Sequence, residues 1–267
     1  MPFVVRPHER LAEDLPGGGW REWVIATDRL ADHRLSVSVL HLRPGSVVEV
    51  ATSAAGLAWF QVLDGAVLVD GEETTVDHIV MVAHGRGCRL SANVSAVVLF
   101  VEVPRAESSA GEPDLRRVDW STEPVLLSEH DSRRRIYLAS PGLWGTEAVK
   151  GEMIAYPPGA VGAPHHHEGA EHFQFLTAGS GTAILGEERV ELQEGDLLYN
   201  FENEVHSFEN RGDHEMSFVE FFVPGPCETV WSRGANLCAW LPTGVDSDGR
   251  KPAREIGYHV HGQDGGI

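Results

Sequence analysis

The chain repeats itself, and the repeat constrains its fold more than any other feature. His41-Leu-Arg-Pro-Gly45 is echoed 114 residues later by Ala155-Tyr-Pro-Pro-Gly159. Phe60-Gln-Val-Leu-Asp-Gly65 is echoed at the same spacing by Gln174-Phe-Leu-Thr-Ala-Gly179, and Gly71-Glu72-Glu73 by Gly186-Glu187-Glu188 one residue further along. Turn glycines mark backbone positions that need positive φ, so an offset kept across separate turns points to two copies of one structural unit. The 267 residues suffice for two domains of about 100–150 residues, each with its own core.

Both copies read as β-structure. Strand-like segments run over 35–42, 59–69, 79–82 and 96–103 in the first copy, and over 152–156, 173–185, 196–199 and 216–223 in the second. They are rich in Val, Ile, Leu and Phe and are bounded by Gly, Pro, Asp and Asn. No segment keeps an apolar period of 3.6 residues over four turns, so only a few short helices are expected. The expectation is an all-β chain of two tandem barrels: 1–108 with an N-terminal arm, a linker over 109–120, and 121–267 with a C-terminal tail. The stretch from Arg105 to Pro113, with its Glu, Ser, Gly and Pro, is the natural connector.

The second copy carries the chemistry. It reads Gly159-Ala-Val-Gly-Ala-Pro-His165-His166-His167-Glu-Gly-Ala-Glu-His172, reaching Gly179, and later Gly195-Asp-Leu-Leu-Tyr-Asn-Phe-Glu-Asn-Glu-Val-His206-Ser-Phe-Glu-Asn210. This resembles the cupin superfamily, with its paired motifs G-x5-H-x-H-x4-E-x6-G and G-x5-P-x-G-x2-H-x3-N. Gly159, His165, His167 and Gly179 fall on the first motif; Gly195, His206 and Asn210 fall on the second. His172 stands where the family usually has glutamate, and Phe201 and Asn203 replace a proline and a glycine. The resemblance implies jelly-roll barrels and a divalent metal held by His165, His167, His172 and His206. Glu171 is the rival for the third ligand position; the family's spacing to Gly179 selects His172.

The residue types agree with that reading. His165 and His167 lie two apart on a presumed strand, so both rings point to one face, while His166 faces outward. His172, Gln174 and Leu176 would share the inward face of the next strand. Gln174 is the candidate catalytic residue, as a substrate hydrogen-bonding or ligand-orienting group, against the plainer reading of a satisfied core glutamine. Four neutral imidazoles suit a divalent transition ion such as Mn, Fe, Ni or Zn and suit Ca or Mg poorly. The alternative is a surface histidine cluster that takes metal adventitiously.

The same positions in the first copy are Ala51, Ser53, Ala58 and Cys88, so that barrel is expected to be structural. His78 and His84 read as surface residues. Gly17-Gly18-Gly19 lacks the spacing of a nucleotide-binding loop. His259-Val-His261 repeats the H-x-H spacing without a partner motif and reads as a C-terminal strand with partly exposed histidines. Cys88, Cys227 and Cys238 form neither a disulfide framework nor a zinc ribbon.

A formal net charge of −19 repels phosphate backbones and anionic lipid, which argues against nucleic acid and membrane partners and for a small-molecule substrate. No secretory signal or bilayer-length apolar run is visible, so a cytoplasmic location is expected. Val- and Phe-rich strands, and a tail able to pair with an open edge, suggest a homodimer. With four neutral ligands the site keeps a local charge of about +2, favouring anionic chelating ligands, and an octahedral ion keeps two open positions. Similarity to histidine-ligated cupin dioxygenases implies dioxygenase chemistry first. Similarity in layout to the (S)-ureidoglycine aminohydrolases implies a metal-dependent hydrolase or isomerase second. A non-catalytic binding or sensor protein is the third reading.

Overall fold

A computed structural model describes residues 1–30, 34–106, 114–262 and 267. The connector expected over 109–120 therefore lies partly outside the described residues, and Leu115–Asp119 is itself a strand. The chain is all-β apart from one four-residue α-helix, Pro141–Trp144, and two short 3-10 turns among the described residues. It forms two compact units, 5–120 with 144–146, and 1–4 with 121–143 and 147–267.

The first unit is built from two sheets. One runs Leu115–Asp119, His78–Val82, Leu57–Asp64, Ala96–Val103, Ser36–Leu42, Trp20–Ile25 and Leu11–Asp14, in that spatial order. The other runs Val47–Ala51, Gly87–Ser91, Ala66–Val69 and Glu72–Thr75. The second unit repeats the arrangement. Its long sheet contains Leu197–Asn200, Glu171–Ala178, Met216–Val223, Lys150–Tyr156 and Arg134–Ala139, and is extended at one edge by the N-terminal strand Phe3–Val5. Its shorter sheet runs Glu188–Gln193, Ser180–Leu185, His206–Glu209, His165–Glu168 and Glu228–Trp231.

The repeat in sequence is a repeat in backbone. Leu57–Asp64 and Glu171–Ala178 have the same length and stand 114 residues apart, as do Ser36–Leu42 and Lys150–Tyr156. Each of the first pair ends at a glycine in the left-handed region, Gly65 at φ 75° and Gly179 at φ 73°. A Cβ at either would lie 2.2 Å from the carbonyl oxygen of the residue just before the neighbouring strand, Ser95 or Glu215. Only glycine meets both demands, so the turn is fixed in the two copies for one reason.

The interiors differ. The first barrel is filled with Leu40, Val50, Ala58, Phe60, Val80, Val82, Cys88, Leu90, Val98 and Phe100. Burial of such side chains stabilises by about 1.5–3 kcal/mol each for the larger ones. Across its long sheet Phe60 faces Phe100, which faces Ser38. At the matching places in the second barrel Gln174 faces Glu220, which faces Glu152. The first barrel spends its interior on apolar packing, and the second holds polar and charged groups there.

Candidate metal centre

Three strands of the second barrel bring the histidines together. His165 and His167 alternate inward along His165–Glu168, which pairs through His165 with His206 on the adjacent strand. His172 comes from the opposing sheet, one register step above Gln174. His167, His172 and His206 are buried, and their donor nitrogens lie within 4.8 Å of one another. The His172 and His206 Nε2 atoms are 3.2 Å apart. The His165 ring centroid is 4.6 Å from that of His206 and 4.9 Å from that of His167.

Hydrogen bonds on the far side of each ring set the tautomers. His165 Nδ1 donates to the Ala163 carbonyl at 2.8 Å, and His206 Nδ1 donates to the Glu204 carbonyl at 2.9 Å. Carbonyls only accept, so both rings present an Nε2 lone pair to the interior. Thr229 Oγ1 lies 3.1 Å from His167 Nδ1. His167 Nε2 and His172 Nδ1 are buried without a hydrogen-bond partner. Burial, reinforced by the neighbouring imidazoles, holds His165, His167 and His172 well below the usual histidine range and pushes His206 down to about 4. Neutral imidazoles with inward lone pairs, one of them an orphaned Nε2, fit a divalent transition ion. The four histidines named from the sequence are thus brought together. Glu171, the rival of His172, instead accepts a hydrogen bond from the Tyr199 hydroxyl. His166 sits 3.5 Å from Glu168, outside the cluster.

Gln174 is fully buried, and both ends of its amide are engaged. Its Oε1 accepts from Asn200 Nδ2 at 2.9 Å, and its Nε2 donates to Glu220 Oε1. Glu220 Oε1 lies 3.6 Å from His172 Nε2. Burial, with the Glu152 carboxylate beside it, raises Glu220 well above the ordinary carboxyl range. Glu152 in turn pairs with Arg135 at 2.6 Å, both side chains fully buried. Arg133 is held by Asp131 at 2.7 Å and donates to the Tyr156 hydroxyl at 3.1 Å. Phe222 stacks on His172 with ring centroids 4.9 Å apart, and Lys150 Nζ lies 5.0 Å from that ring's centre. A cavity of about 20 Å³ lies among His165, His206, Glu220, Arg133, Arg135 and His261, room for about one water.

The arginine run 133–135 stands out in the sequence without a place, and Glu152 and Glu220 do not stand out at all, because register alone sets Arg135, Glu152 and Glu220 beside one another. The expected C-terminal strand forms at His259–Val260 with His259 half-buried, and only His261 departs from the expectation. His261 is buried rather than partly exposed, and its ring lies 5.5 Å from His165 and 5.6 Å from His167. The tail turns inward because His259–Val260 pairs with Ala239–Pro242, and His261 N donates to the Cys238 carbonyl at 2.9 Å. The edge pairing that suggested a dimer is therefore met within the chain. In the first barrel Ala51 and Ser53 are exposed while Ala58 and Cys88 belong to the core. Burial pushes the Cys88 thiol up to about 12, so no thiolate ligand stands there. His78 and His84 are half-buried and hydrogen-bonded locally, to Thr75 and the Ala106 carbonyl.

Residues 152–222 match the cupin domain family. No curated protein matches the sequence. Among solved structures the chain is similar to forms of Bacillus subtilis oxalate decarboxylase. A serine-to-alanine variant aligns with a TM-score of 0.69 at 15% identity over 86% of this chain and 79% of that one. A structure concerned with the substrate binding mode and a reaction specificity switch in oxalate decarboxylase aligns with the same score, identity and coverage. One concerned with its Mn(II) centres aligns at a TM-score of 0.68 and 15% identity, with the same coverage. Identity this low speaks for the shared two-barrel fold.

Proposed function

We propose that this two-barrel cupin is a divalent-metal-dependent enzyme acting on a small organic anion, with its chemistry confined to the second barrel. The observation that carries this reading is the buried triad His167, His172 and His206, with donor atoms within 4.8 Å of one another and the His165 ring 4.6 Å from that of His206, where the matching first-barrel residues Ala51, Ser53, Ala58 and Cys88 offer no imidazole. The four imidazoles would hold the ion, and a bound divalent ion supplies Lewis acidity toward an oxygen-bearing ligand. The chain's own residues do the rest. Asn200 orients Gln174, and Gln174 holds Glu220 beside His172. Burial and the adjacent Glu152 oppose the ionisation of Glu220 and so favour its protonated form. Arg133 and Arg135 line the cavity and favour an anion, while Phe208, Phe218, Trp231 and Trp240 exclude water.

Two reaction classes suit this site. Dioxygenase-type cleavage is the first, supported by an all-nitrogen donor set with His172 in place of the family's glutamate and by two positions left for an anion and O2. Redox-neutral proton-transfer chemistry, as in a hydrolase, isomerase or decarboxylase, is favoured by the Glu220 carboxyl 3.6 Å from His172, with Glu152 beside it. Oxalate decarboxylation, named for the structural neighbours, falls in the second class. The test is elemental analysis of the purified protein, followed by oxygen-electrode and product assays with small carboxylates. About one iron per chain with substrate-dependent oxygen uptake supports the first class. Turnover with manganese and no net oxygen uptake supports the second. A protein that retains no transition metal refutes both.

A further inference from the structure

The C-terminal strand delivers a fifth imidazole to the cluster, and its surroundings specify what that imidazole can do. His261, together with His165 and His167, forms a second group of donor atoms within 4.8 Å of one another, sharing His167 with the first. Spacing alone would make it a further metal ligand, but its partner argues otherwise. Arg135 donates from Nη2 to His261 Nδ1. A guanidinium has donors only and keeps its proton, so Nδ1 must accept with its lone pair and a neutral His261 must carry its hydrogen on Nε2. An Nδ1 that accepts from Arg135 carries no proton of its own, so the geometry alone leaves the ring with its single hydrogen on Nε2. Arg135 is itself fixed by the buried Glu152 carboxylate at 2.6 Å and by the Tyr137 hydroxyl at 3.1 Å. Among the described residues nothing accepts from His261 Nε2, and His261 lines the same cavity as His165 and His206.

The tail's path is built for this placement. His259 Nε2 bonds the Tyr137 hydroxyl at 2.8 Å. Gly262 sits at φ 85°, and a Cβ there would lie 2.4 Å from Thr229 Oγ1, the atom that meets His167 Nδ1. The chain can pass this close to the metal cluster only without a side chain at that point.

We propose that His261 is a substrate-binding hydrogen-bond donor, offering Nε2–H to an oxygen of the anion held at the metal, with its tautomer set by Arg135 and Glu152. This rests on the reading of the second barrel as a metal site for a small anion. His165, His167, His172 and His206 would then hold the ion while His261 reads its ligand, as donors aimed at developing charge do in dry sites.

The experiment has three arms. Nitrogen-15 histidine NMR of the metal-free protein should place the His261 proton on Nε2; a proton on Nδ1 overturns the proposal. Cobalt-loaded protein is then titrated with oxalate as the probe anion and followed by visible absorption. His261→Phe should keep one metal per chain and an unchanged cobalt spectrum while weakening oxalate roughly ten- to hundredfold. His261→Gln, which retains an N–H donor, should recover part of that loss. Loss of metal in His261→Phe would make the residue a ligand instead, and unchanged oxalate affinity in both variants would remove its role. A wild-type protein that holds cobalt but takes no oxalate refutes the anion-binding reading, and the inference with it.

Discussion

His172 is where the chemistry of this site departs from a carboxylate-ligated one, and its surroundings make the departure testable. Its Nε2 faces His206 at 3.2 Å and Glu220 at 3.6 Å. His172→Ala removes one of four donors and is expected to strip the metal during purification, read by elemental analysis. His172→Glu is expected to keep the metal, lower the site's charge by about one unit and weaken oxalate binding. Glu171→Ala is expected to leave metal content unchanged, since Glu171 is engaged with Tyr199; loss of metal there would move the ligand by one residue. The same histidines make the metal-free protein acid-sensitive. A neutral imidazole whose folded pKa lies below its unfolded value of about 6.5 contributes full stability above pH 6.5 and loses it as pH falls toward the folded value. For His206, pushed down to about 4, the loss approaches about 3 kcal/mol between those limits. Urea midpoints of the metal-free protein should therefore fall steeply between pH 6.5 and 4. A flat profile would mean the rings titrate normally and are not buried as described.

At the scale of elements, the repeat was legible because it rests on backbone requirements that only glycine meets. Gly65 and Gly179 share one φ and one clash, and the strands they end share one length. The four histidines were legible because their spacing carries strand periodicity. Long-range pairing was not. Glu152, Glu220 and Gln174 lie on three strands far apart in sequence, and only the register sets them in one row. Read singly, each is an ordinary strand residue with no partner in view. His261 was misread for a related reason: its burial depends on a tail strand pairing with Ala239–Pro242 and on a turn at Gly262. Gly262→Ala tests that element directly. The new Cβ would meet Thr229 Oγ1 and Cβ at 2.4 and 2.7 Å, at a left-handed φ. The tail is expected to detach, at a cost of about 1–3 kcal/mol, read as faster proteolysis beyond residue 257 with the remaining barrel intact. Unchanged protease resistance would mean that the close approach is not needed to hold the tail.

Across the whole molecule, two copies of one fold fill their interiors differently. The first barrel fills its interior with Phe60, Phe100, Val80 and Val98; the second places imidazoles, carboxyls and guanidinium groups at equivalent depth. Buried polar groups are costly unless partnered, so a metal held as proposed should stabilise the second barrel in a way the first does not share. Anything that binds only the folded state stabilises it by RT ln(1 + [L]/Kd), about 2.7 kcal/mol at a hundredfold excess over Kd. Chelation is therefore expected to accelerate amide exchange in Lys150–Tyr156, Glu171–Ala178 and His206–Glu209. The matching strands Ser36–Leu42, Leu57–Asp64 and Gly87–Ser91 should exchange as before. Hydrogen–deuterium exchange with peptide mapping, with and without metal, reads both sets in one experiment. Because the first two pairs of strands correspond in length, each of those first-barrel peptides serves as the internal control for its second-barrel counterpart. Metal-dependent protection near Cys88 would show that the first barrel binds the ion after all, and equal protection in both barrels would count against a metal held in the second alone.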